Sequence, residues 1–281
     1  MKNFTQRLLL FVFGIPLLFF LIVCFQKYSH AGWLGLIALV TFLSSYEAVD
    51  LFIPGYRAKR RHLIPLAAVF IALSPLLSPL LPQQIDPVPL MLSGTFLVLL
   101  IIELFTWSPE DPHSFPRHSL GISAALLYPG FLMTYPSRFT EIEHTVPAIL
   151  LFLLLNFGND TFAYIFGMLF GKNSPKIAPV SPKKSLIGYI GGILGSLLVG
   201  FLFYRVYPEL FSRGIPYLFP FFLLIALSAN IGDLVESAFK RGVSKKDSGR
   251  LMPGRGGLLD SIDSLLFSAP FFYYIGIILL N

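Results

Sequence analysis

The sequence predicts an all-α integral membrane protein, a polytopic bundle of about nine transmembrane helices with no soluble domain. Its 281 residues are 55% hydrophobic and only 13% charged, whereas soluble domains carry roughly 25% charged residues. Apolar windows of about 20 residues, the length that crosses a bilayer as a helix, recur along the whole chain. Cys24 is the only cysteine, which excludes an intrachain disulfide framework and a cysteine-based zinc site.

Nine apolar windows can be placed in order. The first follows a short basic start and is longer than the hydrophobic region of a signal peptide, so we expect a retained membrane helix. The fifth is short and is interrupted by Pro129 and Gly130, which leaves a count of eight open. The windows are approximately residues 8–26, 31–53, 63–81, 88–107, 119–135, 145–170, 185–206, 215–240 and 257–280.

The basic residues predict the orientation. If the N-terminus and the loops after the second, fourth, sixth and eighth windows share one side, that side holds 17 Lys and Arg residues and the other holds 4. Cytoplasmic loops are enriched in Lys and Arg, so we predict a multi-pass protein of the inner (plasma) membrane whose active site faces the cytoplasm. Glu47 and Asp50, at the end of the second window, are placed to pair with the basic stretch 56–62.

The most polar stretch of the chain runs from residue 230 to residue 264. It contains six of the 21 Lys and Arg residues and five of the 15 acids, although apolar windows flank it. Asp233, Glu236 and Lys240 share one helix face by their spacing, and Asp260 and Asp263 do so beyond a glycine-rich loop. Basic residues next to a membrane are commonly topology signals. Acids at the ends of apolar helices are costly, however, and they tend to be functional.

A second polar face lies in the sixth window. Asn156, Asp160, Ala163, Gly167 and Gly171 recur at nearly fourfold spacing. Small residues let a neighbouring helix approach closely, and the same face brings the Asp160 carboxylate into the protein interior. A basic, proline-stiffened loop follows, and it leads into the glycine-laced window 185–206, which is suited to tight packing.

The residue types in these two blocks indicate phosphate chemistry. Aspartate oxygens suit Mg²⁺ better than a transition metal, and this number of acids leaves room for a second cation. Neither block contains His or Cys, so a protein nucleophile is not indicated. Phosphoryl or nucleotidyl transfer needs none, because it depends largely on positioning and charge neutralisation. The candidate ligands are Asp160, Asp233, Asp247, Asp260 and Asp263, and the candidate phosphate-binding cations are Lys172, Lys183, Lys184, Lys240, Arg241, Lys245 and Lys246.

Both blocks also resemble a known family, the phosphatidate cytidylyltransferases (CDP-diacylglycerol synthases). Residues 237–263 read SAFKRGVSKKDSGRLMPGRGGLLDSID, which looks like the C-terminal signature of that family. Residues 160–172 read DTFAYIFGMLFGK and residues 181–185 read SPKKS, which is similar to a second motif of the family. The matched segments cover roughly residues 156–264. The departures are Arg255, Ser261, Asn230 and Ile187, where the family usually has His, Arg, Gln and Glu.

The resemblance implies the reaction and the roles. CTP and phosphatidate would give CDP-diacylglycerol and pyrophosphate, with Mg²⁺, at the cytoplasmic face of the membrane, for phospholipid biosynthesis. Residues 1–144 would then be a lipid-facing scaffold, and residues 145–281 would contain the catalytic motifs. No nucleic-acid partner is expected, and a homodimer is left open. The implied metal ligands are Asp260 and Asp263, with Asp233 or Asp160 completing the shell. The implied catalytic residues are Asp233, Lys240, Asp247, Asp260 and Asp263. The implied substrate-binding residues are Lys172, Ser181, Lys183, Lys184, Ser237, Arg241, Lys246 and Arg255.

Three other functions remain open at this point. A CTP-dependent polyprenol or phytol kinase would transfer the γ-phosphoryl group to a lipid alcohol, and it would need a base to activate that alcohol. A non-catalytic homologue is suggested by the departures at Arg255, Ser261 and Ile187. A transporter is suggested by the many windows and their acids, but these acids cluster at the ends of windows, and no inverted repeat is visible.

Overall fold

The computed structural model describes residues 14–24, 26, 30–56, 60–252 and 256–280. Within these ranges the secondary structure is helical, and β-structure is limited to isolated bridges such as the one between Lys176 and Ser185. The all-α prediction is therefore confirmed for the described residues. The chain divides into two compact units, Met1–Arg138 with Asp247–Ser261, and Phe139–Lys246 with Ile262–Asn281. The predicted division of roles between residues 1–144 and 145–281 stays a prediction.

The first unit is a set of helices of unequal length. The 3₁₀-helix Ser74–Leu80 and the π-helix Leu126–Phe131 interrupt the α-helices. Helix α4 (Pro87–Leu104) begins where the Asp86 side chain accepts the Val88 N–H at 2.9 Å. This capping arrangement binds one of the N–H groups that have no partner within the helix. The described α-helices of this unit are α1 (Ile15–Cys24), α2 (Ala31–Phe52), α3 (Leu63–Ala72), α4 (Pro87–Leu104), α5 (Ser114–Ala125) and α6 (Thr134–Arg138).

Two carboxylates of the first unit, one buried and one partly exposed, have partners on other segments. Glu103 on α4 is only 4% exposed. It accepts the hydroxyl of Tyr56 and lies 2.8 Å from Nδ1 of His118. Asp50 at the end of α2 forms an ion pair with Arg61, which confirms its predicted pairing with the basic stretch.

The second unit contains α7 (Thr145–Phe170), α8 (Leu186–Val206), α9 (Ile215–Gly242) and the part of α10 (Leu259–Leu279) that begins at Ile262. Helices α7 and α8 pack closely because glycines on α8 leave no room for a side chain. A Cβ atom at Gly195 would lie 2.4 Å from Cβ of Phe162, and one at Gly192 would lie 2.1 Å from Oδ1 of Asn159. The tight packing predicted for window 185–206 is confirmed.

Aromatic rings form the core of the second unit. Phe139, Phe152, Phe221 and Phe272 are fully buried, and their neighbouring ring centroids lie 5.0–5.4 Å apart. These distances are within the range in which aromatic pairs stabilise a core beyond the area that they bury.

Two asparagines of α7 join this core to the other helices. Asn156 Oδ1 accepts the hydroxyl of Ser268 at 2.8 Å, and Asn159 Nδ2 donates to the carbonyl of Ala226 at 2.9 Å. Hydrogen bonds of this kind join helices where water is absent.

Among the described residues, six helices are long and apolar enough to cross a membrane, as in an integral membrane protein. They are Ala31–Phe52, Pro87–Leu104, Thr145–Asn173, Leu186–Val206, Ile215–Gly242 and Leu259–Leu279. The pair Leu63–Ala72 and Ser74–Leu80, bent by 51°, makes a seventh if it is one span. The predicted window 8–26 lies partly outside the described residues, and window 119–135 is divided among α5, the π-helix and α6. The predicted count of nine is not confirmed.

The packing of α7 against α8 predicts a stability difference between two glycine substitutions. Gly195→Ala should lower the thermal unfolding midpoint in detergent, because overpacking costs about 1–3 kcal/mol. The Cβ atom would collide with Phe162 close to its backbone, so the two helices must separate. Gly94→Ala on α4, where nothing lies within 4 Å of the added atom, is the matched control and should be neutral or slightly stabilising. Equal midpoints for the two variants would contradict this account of the packing.

Candidate functional site

Four carboxylates interact in the second unit, and we refer to Asp160, Asp233, Glu236 and Asp263 as the acidic cluster. Asp233 and Glu236 lie on α9, Asp160 on α7 and Asp263 on α10. The charge of Asp263 interacts electrostatically with those of the other three. Like charges repel, so the fold must hold these groups together against their mutual repulsion.

A close approach between α9 and α10 places Asp263 near the α9 acids. A Cβ atom at Gly232 would lie 2.6 Å from the carbonyl oxygen of Asp263 and 2.6 Å from Cβ of Phe267. Glycine at this position therefore brings the two backbones together immediately beside Asp233.

The members of the acidic cluster differ in exposure. Glu236 is fully buried and Asp263 is 6% exposed, whereas Asp233 is partly exposed and Asp160 is exposed. Oδ1 of Asp263 accepts the backbone N–H of Ser264 at 2.6 Å. The cluster thus reaches from the interior of the unit to its surface, as a site for an outside ligand must.

Two lysines neutralise part of this charge. Lys184 forms an ion pair with Asp233, and Lys240 forms one with Glu236 one helical turn earlier on α9. Tyr189 interacts electrostatically with Asp233 and Asp263, and its hydroxyl donates to the carbonyl of Asn230 at 3.0 Å. The predicted residues Asp160, Asp233, Asp263, Lys184 and Lys240 therefore belong to one group of interacting side chains.

Other predicted substrate-binding residues lie on the segments next to this group. Arg241 donates from Nε to the carbonyl of Val180 at 3.4 Å and from an Nη atom to that of Lys245 at 3.1 Å. Ser237 is buried in α9. Ser181 lies in the turn between α7 and α8 and is partly exposed, while Lys172, Lys183 and Lys246 are exposed.

The first unit contains a different arrangement of acids, around the segment 247–259, which we call the signature loop and which the structure describes at residues 247–252 and 256–259. Asp260, in the first turn of α10, accepts three hydrogen bonds at Oδ2: from the N–H of Ser248 at 2.9 Å, the hydroxyl of Ser248 at 3.0 Å and the N–H of Gly257 at 2.7 Å. Gly256 has a φ of 108°, a conformation that glycine adopts without strain. Asp247 is exposed, and Arg255 lies outside the described residues.

Glu47 of α2 also contacts the signature loop, and the sequence prediction missed it. Its Oε2 accepts the N–H of Leu259 at 2.8 Å and lies 3.3 Å from the hydroxyl oxygen of Ser248, whose single proton is shared with Oδ2 of Asp260. The prediction that Glu47 pairs with the basic stretch is therefore wrong, because the carboxylate binds the start of α10. The available signal was an acid within an apolar window. Glu236 was noticed on the α9 face but was omitted from the predicted site.

The chemistry of the acidic cluster fits a hard divalent cation. Its donors are all carboxylate oxygens, which suit Mg²⁺, and one of them belongs to the buried Asp263. Within the described ranges, no three His, Cys, Asp or Glu side chains stand in a ready metal-binding arrangement. Asp233 and Glu236 are instead turned toward Lys184 and Lys240.

The fold and these side chains define a class: a polytopic helical membrane protein with carboxylates and lysines suited to phosphate chemistry. The sequence pattern of the Cytidylyltransferase family matches residues 5–279, and the chain belongs to this family. The resemblance of the motifs is thereby confirmed, and it extends into the N-terminal half.

Relatives from bacteria agree with this assignment. A protein of Thermotoga maritima named phosphatidate cytidylyltransferase is 34% identical over 263 residues, which are 91% of each chain. Proteins of the same name from Staphylococcus epidermidis ATCC 12228 and Staphylococcus aureus COL are both 35% identical. The match to the S. epidermidis protein covers 84% of each chain, and the match to the S. aureus protein covers 68% of this chain and 72% of the relative.

The buried pair of Lys240 and Glu236 predicts a stability effect. Lys240→Met should destabilise the protein by about 3–5 kcal/mol, because removing one partner leaves the charge of the other buried. The double variant Glu236→Gln with Lys240→Met should recover most of this loss, as measured by unfolding in detergent. Arg117→Met is the control, since its partner Asp111 is exposed and exposed pairs contribute little. Similar losses for Lys240→Met and Arg117→Met would argue against a stabilising buried pair.

Proposed function

We propose that this chain is a phosphatidate cytidylyltransferase, which transfers the CMP group of CTP to phosphatidate. A phosphate oxygen of phosphatidate forms a new bond to the α-phosphorus of CTP. The bond from that phosphorus to the oxygen that bridges to the β-phosphate breaks, so the products are CDP-diacylglycerol and pyrophosphate. Family membership and the common name of the relatives support this reaction.

The observation that carries the proposal is the charge of the acidic cluster. Its four carboxylates exceed its two lysines, so two negative charges remain when all six groups are ionised. An anionic substrate is repelled by such a site unless a divalent cation accompanies it. Bound Mg²⁺ would supply charge neutralisation to the phosphates. We assign its binding to Asp263, Asp233 and Asp160, while Asp260 and a second cation stay predictions.

The basic residues receive the phosphates in this proposal. Lys240, Arg241 and Lys246 bind the triphosphate, and Lys183 and Lys184 bind the lipid phosphate or the leaving pyrophosphate. An ammonium group has three donors, so Lys184 and Lys240 can keep their carboxylate partners and still donate to a phosphate. The attacking oxygen is already anionic, and no protein base is needed to activate it.

The proposed reaction takes place at the cytoplasmic surface of the inner membrane, where a water-soluble nucleotide meets a lipid. The uneven distribution of Lys and Arg supports this orientation. If the bent pair Leu63–Ala72 and Ser74–Leu80 is one span, the described helices offer seven candidates, to which windows 8–26 and 119–135 would add two.

The activity is tested with purified protein and labelled CTP, with phosphatidate and a polyprenol as competing acceptors. We expect Mg²⁺-dependent formation of CDP-diacylglycerol, abolished by a chelator and restored by Mg²⁺.

Asp263→Asn and Asp233→Asn should lower kcat by more than about 100-fold, the upper range for loss of outer-shell partners of a metal ligand. Asp86→Asn, at the exposed start of α4, is the matched control and should remain active. Phosphorylated polyprenol as the sole product would favour the kinase, and no turnover would favour a non-catalytic homologue.

The orientation is tested by cysteine labelling in cells. In a Cys24→Ser background, Lys245→Cys should react with a membrane-impermeant maleimide only after the cytoplasmic face is opened. Arg213→Cys, between α8 and α9, should react from outside in intact cells. The reverse pattern would place the basic segments on the side without CTP and would exclude the proposed orientation.

A further inference from the structure

Glu47 is a buried acid far from both sequence motifs. It lies on α2, within a candidate membrane span, and is only 4% exposed. An acid at such a position is costly and calls for a specific interaction. Its interaction partners are Leu259 and Ser248, which belong with it to the first unit.

The carboxylate of Glu47 binds the signature loop at both ends. At the C-terminal end, Oε2 accepts the N–H of Leu259, the first residue of α10. The first N–H groups of a helix have no partner within the helix, and the helix dipole favours a negative charge there. At the N-terminal end, the same oxygen shares the hydroxyl proton of Ser248 with Oδ2 of Asp260, at distances of 3.3 Å and 3.0 Å.

The glycines of the signature loop leave room for this carboxylate. A Cβ atom at Gly249 would lie 2.1 Å from Oε1 of Glu47, and one at Gly257 would lie 2.5 Å from Oε2. The main chain of the loop thus passes directly against the side chain of Glu47. Glycine at these two positions is therefore explained by a contact with α2.

We infer that Glu47 is a positioning residue for nucleotidyl transfer, which holds the signature loop in the conformation that binds CTP. The inference rests on the proposed function, because the resemblance implies that Asp247 and Asp260, at the two ends of the loop, are catalytic residues. Glu47 touches the loop backbone and Ser248, so it acts on the substrate through the loop. The second helix then contributes to catalysis and is more than a scaffold.

Glu47→Gln tests the role of the charge. The amide keeps the volume of the side chain and one acceptor for the N–H of Leu259. We expect the KM for CTP to rise about tenfold, equivalent to about 1.4 kcal/mol, while the KM for phosphatidate stays unchanged. Hydrogen exchange of the segment 247–259 in the ligand-free protein should become faster. Glu47→Ala should enlarge both effects.

Glu103→Gln is the matched control. Glu103 is equally buried, lies on another membrane helix of the same unit and binds Tyr56 and His118 instead of the loop. It should leave the KM for CTP and the exchange of segment 247–259 at their wild-type values, whatever it does to the unfolding midpoint. The same rise in KM in both glutamine variants would indicate a general loss of structure and would overturn the assignment.

The two readouts separate this inference from the proposed function. Wild-type protein without cytidylyltransferase activity would overturn the proposed function. Unchanged exchange of segment 247–259 in Glu47→Gln would overturn the role of Glu47 in holding the loop, since that measurement needs no turnover. Faster exchange with an unchanged KM for CTP would show a purely structural contact and would overturn the positioning role.

Discussion

A carboxylate inside an apolar helical protein is stable only when cations or hydrogen-bond donors bind it, because burial removes its water. This protein buries several. Glu236 is held by Lys240, Glu103 by Tyr56 and His118, and Glu47 by the start of α10. Each partner comes from a particular helix or loop, so each carboxylate restricts where that segment can lie. The cost of burying charge thereby determines much of the local structure of both units.

The burial of carboxylates also requires that main-chain segments approach these side chains closely. A carboxylate can reach a neighbouring backbone only if no other side chain occupies that space. Gly249 and Gly257 provide the space around Glu47, and Gly232 provides it between α9 and α10 beside Asp263. Because these glycines lie where acids meet backbone, glycine in this protein is tied to charge as well as to the packing of apolar helices.

Much of this arrangement could be predicted from local sequence. Hydropathy predicts a helix wherever a run of apolar residues is long, and the spacing of Asp233, Glu236 and Lys240 places them on one helix face. The pairing of Lys184 with Asp233 joins segments about 50 residues apart, and it was not predicted from the sequence. The role of Glu47 depends on a contact across more than 200 residues, which no periodicity reports. Hydropathy also did not reveal that window 119–135 contains a π-helix, since the interruption comes from main-chain geometry around Pro129.

The two groups of acids differ in how easily their partners can be replaced. Asp233 and Glu236 are bound by the ammonium groups of lysine side chains, and each ammonium group has further donors for a phosphate. Asp260 and Glu47 are bound by backbone N–H groups at a turn and a helix start, and these partners cannot leave without unwinding the loop. In the proposed function, the acids with lysine partners are suited to bind the ligands of the reaction. The fixed acids are suited to keep the signature loop in one conformation throughout the cycle.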